Sequence, residues 1–124
     1  MAPTRYIGWA LPPDERERLL ARFPPRYPQV VADHVTLKLG HAIMLPGETS
    51  GEVVGEADDG RGVQALVVRI GGTIDRPDGS TYHMTWSLGP GRRAKESNDV
   101  IRGYGWRPLG APIPVQLRPH LFGA

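Results

Sequence analysis

Thr81-Tyr82-His83-Met84-Thr85-Trp86-Ser87-Leu88 alternates polar and apolar residues without a break. Side chains two apart on a strand share a face, roughly 6 to 7 Å apart. The stretch therefore predicts a strand with Thr81, His83, Thr85 and Ser87 on one face and Tyr82, Met84, Trp86 and Leu88 on the other. His34-Val35-Thr36-Leu37-Lys38-Leu39 repeats the pattern, with His34, Thr36 and Lys38 on the polar face and Val35, Leu37 and Leu39 on the apolar one. Two half-buried strands of this kind anchor a sheet fold.

Each strand also carries His-x-Thr followed by an apolar residue. The chain has four histidines, His34, His41, His83 and His120, and six threonines among 124 residues. A given histidine has roughly a 5% chance of Thr two positions on, and two of four on the order of 1%. An ordinary strand histidine beside a strand-forming Thr is the plain alternative, and the doubled motif weighs against it. Each motif presents an imidazole and a hydroxyl side by side. Two such pairs facing each other would set two proton-transfer groups and two hydroxyl donors around one small anion, which is what moving protons around a phosphate ester requires.

The rest of the chain reads as many short elements. Tyr6-Ile7-Gly8-Trp9-Ala10-Leu11 predicts a buried strand stopped by Pro12-Pro13. Asp14-Glu15-Arg16-Glu17 has the spacing of a helix start with Asp14 as N-cap. Leu19, Leu20 and Phe23 give that helix an apolar face, Pro24-Pro25 ends it, and Arg16, Arg18 and Arg22 are expected in solvent. Further strands are expected at Glu52 to Glu56 and Val63 to Ile70 around an Asp58-to-Gly62 turn, and at Ile113 to Leu117. A short helix capped by Ser97 or Asn98 is expected within Ala94 to Tyr104. Gly71 to Ser80 reads as loop.

Composition sets the bounds. A chain of 124 residues, 40% hydrophobic and 23% charged, suits one folded domain over residues 1–124. With 16 Gly and 13 Pro, turns outnumber long helices. The absence of cysteine excludes disulfides, thiolate metal sites and cysteine nucleophiles. No apolar run reaches membrane-spanning length and the start lacks a secretory leader, so a cytoplasmic location is expected. A net charge of +2 and a pI near 9.3 suit an anionic substrate and fall short of a dedicated duplex binder.

His34-Val35-Thr36-Leu37 and His83-Met84-Thr85-Trp86 make the chain resemble the 2H phosphoesterase superfamily, whose name refers to two His-hydrophobic-Thr/Ser-hydrophobic motifs far apart in sequence. The order of strand, helix, motif strand, further strands and second motif strand is similar too, over roughly Tyr6 to Leu117. The chain is shorter than most members and its motifs are closer together. The resemblance implies a bilobal, pseudo-symmetric α+β fold, with antiparallel sheets, one or two outer helices and a central cleft. It implies metal-independent cleavage of a 2′,3′-cyclic phosphate or a related cyclic or 2′-linked phosphodiester of a nucleotide or short RNA. His34 and His83 would exchange protons as base and acid in an order the sequence leaves open, and Thr36 and Thr85 would bind the non-bridging oxygens. No cofactor, metal or obligate protein partner is implied, and a monomer is expected. The same apparatus run backwards would ligate a cyclic end to a 5′-hydroxyl, and a cleft that binds RNA ends or nucleotides without turnover is the alternative outside enzymes.

Lesser candidates surround these four. Lys38 shares the expected face of His34 and could steady a phosphate, Tyr6 could stack a base, and so could the Tyr104 to Trp106 loop. Trp9 and Trp86 fall on core faces. Arg92 and Arg93 sit in a glycine-rich turn that lacks a phosphate-loop fingerprint. A zinc site using both histidines with Asp33 or Asp75 is the rival chemistry, but Asp33 must point away from His34 if the segment is extended. A serine hydrolase has no Gly-x-Ser-x-Gly elbow here.

Overall fold

The computed structural model describes residues 5–40 and 44–123; the start of the chain and His41 lie outside the described residues. The fold is α+β, with two helices and two antiparallel sheets of three and five strands. β1 (Tyr6–Ala10) leads into α1 (Pro13–Arg22), β2 (Gln29–Val30), β3 (His34–Leu39), β4 (Ser50–Asp58), β5 (Val63–Arg69) and β6 (His83–Leu88). α2 (Glu96–Tyr104), β7 (Arg107–Gln116) and β8 (Arg118–Phe122) complete the chain. The small sheet runs β3-β1-β8 and the large one β2-β6-β5-β4-β7, so the two motif strands belong to different sheets.

Both helices depart from their expected caps. Pro12, not Asp14, precedes α1, and Asp14 lies inside the first turn, where its charge suits the helix dipole without a capping bond. α2 begins after Lys95 with no side-chain cap, and Ser97 is buried within it. β8 and most of β7 were not expected, because Pro108, Pro112, Pro114 and Pro119 interrupt the strand pattern. Each of these two strands lies at the edge of its sheet, the position where proline's missing N–H costs no ladder bond.

Two apolar clusters cover opposite faces of the large sheet. Leu66, Val68, Met84 and Trp86 of the large sheet pack with Trp9 and Val35 of the small one, and with Leu19 and Phe23 from α1 and its end. Leu19 is fully buried, which contributes roughly 1.5–3 kcal/mol. On the other face Ala57, Val63, Ala65, Val67 and Leu88 pack under Val100 and Ile101 of α2. Trp9 and Trp86 are core residues as expected, and their indole N–H groups donate to the Glu48 and Phe23 carbonyls. No helix among the described residues is long and apolar enough to cross a membrane.

The sheets meet where β2 becomes β3. β2 pairs with β6, and beyond it the Val31 and Ala32 N–H groups donate to the Trp86 and Thr85 carbonyls. Ala32, fully buried, then turns left-handed at φ 46°, and the chain crosses to pair with β1 instead. A non-glycine residue in that region costs of order 1–3 kcal/mol and must be held by its surroundings. Arg16 supplies the hold: its Nε donates to the Ala32 carbonyl at 3.0 Å and an Nη to that of Val31 at 3.5 Å. Arg16 is therefore a structural clamp and not the solvated helix residue expected. Leu11 adds an N–H bond to the Asp33 carbonyl at 2.8 Å.

Candidate active site

β3 still packs against β6 beyond the point where Ala32 stands beside Thr85, which brings the end of β3 that carries His34 toward His83. The two imidazoles are close enough for each other's charge to matter: His34 is among the groups that disfavour protonation of His83. Their settings differ. His83 Nδ1 lies 2.8 Å from the Thr81 carbonyl, which can only accept, so Nδ1 carries the proton and Nε2 keeps its lone pair. Burial pushes its pKa below the usual 6.5, and the Arg76 and His34 charges push the same way, against the Thr81 bond. His83 is thus a neutral imidazole near neutral pH, its acceptor nitrogen without a bond among the described residues.

His34 Nδ1 contacts the Asp33 carboxylate. The turn at Ala32 breaks the extended run, so Asp33 does not point away from its neighbour as the sequence suggested. A carboxylate on Nδ1 fixes the ring and turns Nε2 outward, the arrangement that orients many proton-transferring histidines. The other side of the ring meets aromatics. Tyr6 and Phe122 stack with centroids 4.8 Å apart and planes 10° apart, and His34 lies 5.5 Å from Tyr6 and 5.1 Å from Phe122. His120 packs edge-on to Phe122 at 4.6 Å. The Tyr6 hydroxyl is held above its usual pKa by burial and by Asp33.

Register settles where the other candidates lie. In the β1–β3 pair, Gly8 opposes Thr36 and Ile7 opposes Lys38, so Leu37 is an extra residue, a β-bulge. The bulge reverses the facing after Thr36. Lys38 leaves the face of His34 and Thr36 and is exposed, which corrects the expected phosphate-side position, while Leu39 is exposed rather than buried. Thr36 keeps the His34 face, half-buried. A Cβ at position 8 would run into the Val35 carbonyl oxygen and the Thr36 and Leu37 backbone, so the crossing requires glycine.

β6 has the same irregularity one residue after its own Thr. Ala65 opposes Thr85 and Gln64 opposes Ser87, leaving Trp86 unpaired. Ser87 is thereby taken off the His83 face: it donates to Gln64 Oε1 at 2.6 Å and accepts from the Arg26 and Tyr27 N–H groups. Leu88 swings to the α2 side. Thr85 stays on the His83 face but beneath α2, 6% exposed, its hydroxyl donating to the Ala94 carbonyl at 3.2 Å and bonded to Ser97 Oγ at 2.9 Å. That hydroxyl is spent inside the fold.

The sequence offered Asp33 only as a zinc ligand, not as a brace for His34, and Arg76 escaped it altogether. Arg76 lies in the Gly71 to Ser80 segment read as loop, which is instead a closed hairpin. Asp75 bridges Thr81, Arg76 N–H donates to the Ser80 carbonyl, and Gly79 N–H donates to that of Arg76. The Asp78-Gly79 turn signal was readable; the inward arginine beside it was not. Arg92 is tied to Asp59 and Glu96 at 2.8 and 3.0 Å, which makes it structural. Tyr104 and Trp106 line a separate cavity of about 490 Å³ with Arg26, Glu56 and Arg107, away from the histidines.

Among the described residues no three His, Cys, Asp or Glu side chains cluster as a metal site. The chain matches no protein-family model, no curated protein and no solved structure.

Proposed function

We propose that the chain is a metal-independent phosphodiesterase of the two-histidine kind. Its substrate would be a 2′,3′-cyclic phosphate, or a related cyclic or 2′-linked phosphodiester, of a nucleotide or short RNA. The two sheets are read as the pseudo-symmetric lobes and the β3–β6 junction as the central cleft. One observation carries the reading: a neutral imidazole whose Nε2 keeps its lone pair, His83, stands beside a second imidazole held by a carboxylate, His34. Binding alone asks for neither a fixed tautomer nor a carboxylate brace.

The settings suggest an order. His83 Nε2 takes a proton from water as the water oxygen attacks phosphorus. The bond to one ribose oxygen breaks, and protonated His34 donates from Nε2 to that departing oxygen. Returning the proton from His83 to His34 through solvent resets the site. Each transfer is typically worth 10² to 10⁴-fold in rate. The Thr36 hydroxyl donates to a non-bridging oxygen as charge builds there. Thr85 instead keeps β6 against α2 and so holds His83 in place. The outer face of the Tyr6–Phe122 stack offers an aromatic surface to a base.

Hydrolysis of 2′,3′-cyclic nucleotides with EDTA present tests the reading. Turnover is expected to survive chelation and to collapse in His34→Ala and in His83→Ala. Chelator-sensitive turnover would instead support the zinc chemistry. The internal bonding of Thr85 favours one second reading, a cleft that binds nucleotide ends without cleaving them. Saturable nucleotide binding with no turnover on cyclic or 2′-linked substrates would establish it.

A further inference from the structure

We propose that Arg76 is the phosphate anchor of the two-histidine site, gripping substrate oxygens through its terminal nitrogens while its Nε remains on β3. The proposal rests on the phosphodiesterase reading and deepens it by naming the group that recognises the anion.

Arg76 reaches β3 at the motif. Its Nε donates at 3.2 Å to the carbonyl of Leu37, the bulge residue directly after Thr36. The hairpin that carries it runs through the Asp75–Thr81 bridge straight into β6 and His83, and Thr81 is the residue whose carbonyl fixes the His83 tautomer. The guanidinium is therefore bonded to one motif strand and carried by the hairpin that leads into the other. Its charge is also felt at His83.

The side chain is only 6% exposed, yet it is thinly compensated. A buried guanidinium normally has close acidic partners. Even Arg92, less buried at 23% exposed, has two, Asp59 and Glu96. Among the described residues the one carboxylate within 4 Å of Arg76 is that of Asp78, at 3.6 Å and 57% exposed, and it already accepts from the Ser80 N–H and hydroxyl at 2.9 and 2.6 Å. Guanidinium has five N–H donors in a planar fork that matches a phosphate bidentately. A phosphodiester beside Thr36 would supply the missing counter-charge. It would also replace the hydroxyl contact that Thr85 does not offer.

Inorganic phosphate serves as the probe, read by the imidazole ¹⁵N resonances of His34 and His83 in the full chain. Phosphate is expected to shift both resonances in the wild type. Arg76→Lys, which keeps the charge and loses the fork, should weaken phosphate binding roughly 10- to 100-fold and raise KM for cyclic nucleotide more than it lowers kcat. Asp78→Asn leaves an oxygen for Ser80 while removing the competing charge, and should tighten phosphate several-fold even if Arg76→Lys does not fold. Unchanged phosphate affinity in either variant, or no phosphate-dependent shift at either wild-type histidine, overturns the proposal. Loss of phosphate in Arg76→Lys without any turnover in the wild type keeps the anchor and removes the phosphodiesterase. Histidine-dependent turnover indifferent to Arg76 does the reverse.

Discussion

β3 and β6 carry the same four-residue motif with the same β-bulge at its last position, Leu37 in one and Trp86 in the other, yet their surroundings make them unlike. β3 is an edge strand, its motif half-open, with His34 between a carboxylate and an aromatic stack. β6 is an inner strand with apolar packing on both faces, His83 neutral and Thr85 sealed beneath α2. Repetition of a motif supplies matched backbone geometry, and the neighbours then assign different tasks to identical side chains. A bulge is well suited to this, since it re-aims the residues that follow without moving those before it.

The largest difference to break is in chemistry. His83→Ala and His34→Ala are each expected to lower kcat/KM on a 2′,3′-cyclic nucleotide by about 10² to 10⁴-fold. Steady-state kinetics on folded variants checks this, and retention of most activity in either removes the paired mechanism.

Next come the threonines, which should part company. Thr36→Val is expected to lower activity with little change in stability. Thr85→Val strands the Ser97 hydroxyl in the core and should cost about 1–3 kcal/mol in urea unfolding, with a smaller effect on kcat. Equal effects of the two variants on both readouts would return the threonines to a shared role.

Gly8→Ala tests the small sheet by itself. Overpacking against the β3 backbone should cost about 1–3 kcal/mol and disturb His34 and Thr36 through the β1–β3 register. Amide chemical-shift changes centred on β3, with β4 and β5 unmoved, are the expected pattern.

The smallest effect is a pH dependence of stability. His83 takes up a proton more readily unfolded than folded, so its contribution is complete above pH 6.5 and is lost as pH falls below that value. The slope from this one group is at most about 1.4 kcal/mol per pH unit. Unfolding measured between pH 5 and 7 should be flatter in His83→Asn than in the wild type.

How much of this was legible in the sequence follows from what each signal measures. Alternation located β3 within its true bounds and β6 to within two residues, because period-two burial is a local property. It could not locate the bulges, which arise from pairing with β1 and β5, so Lys38, Ser87 and Leu88 were assigned to the wrong faces. The proline-rich edge strands were hidden because edge position is a fact of topology. Asp33 and Arg76 needed the left-handed turn at Ala32 and a closed hairpin to arrive at the site; the first turn has no glycine to mark it, and Gly79 marks the second without telling that Arg76 faces inward. The two histidines themselves needed only their spacing.

The central claim is that two unlike imidazoles share one site, with His83 the neutral member. Long-range ¹H–¹⁵N NMR of the histidine side chains, followed through a pH titration in wild type and His34→Ala, tests it directly. The account predicts His83 protonated on Nδ1, titrating below pH 6.5, with a midpoint that rises when His34 is removed. Two histidines that titrate independently, with His83 at the ordinary imidazole value and indifferent to His34, would contradict it.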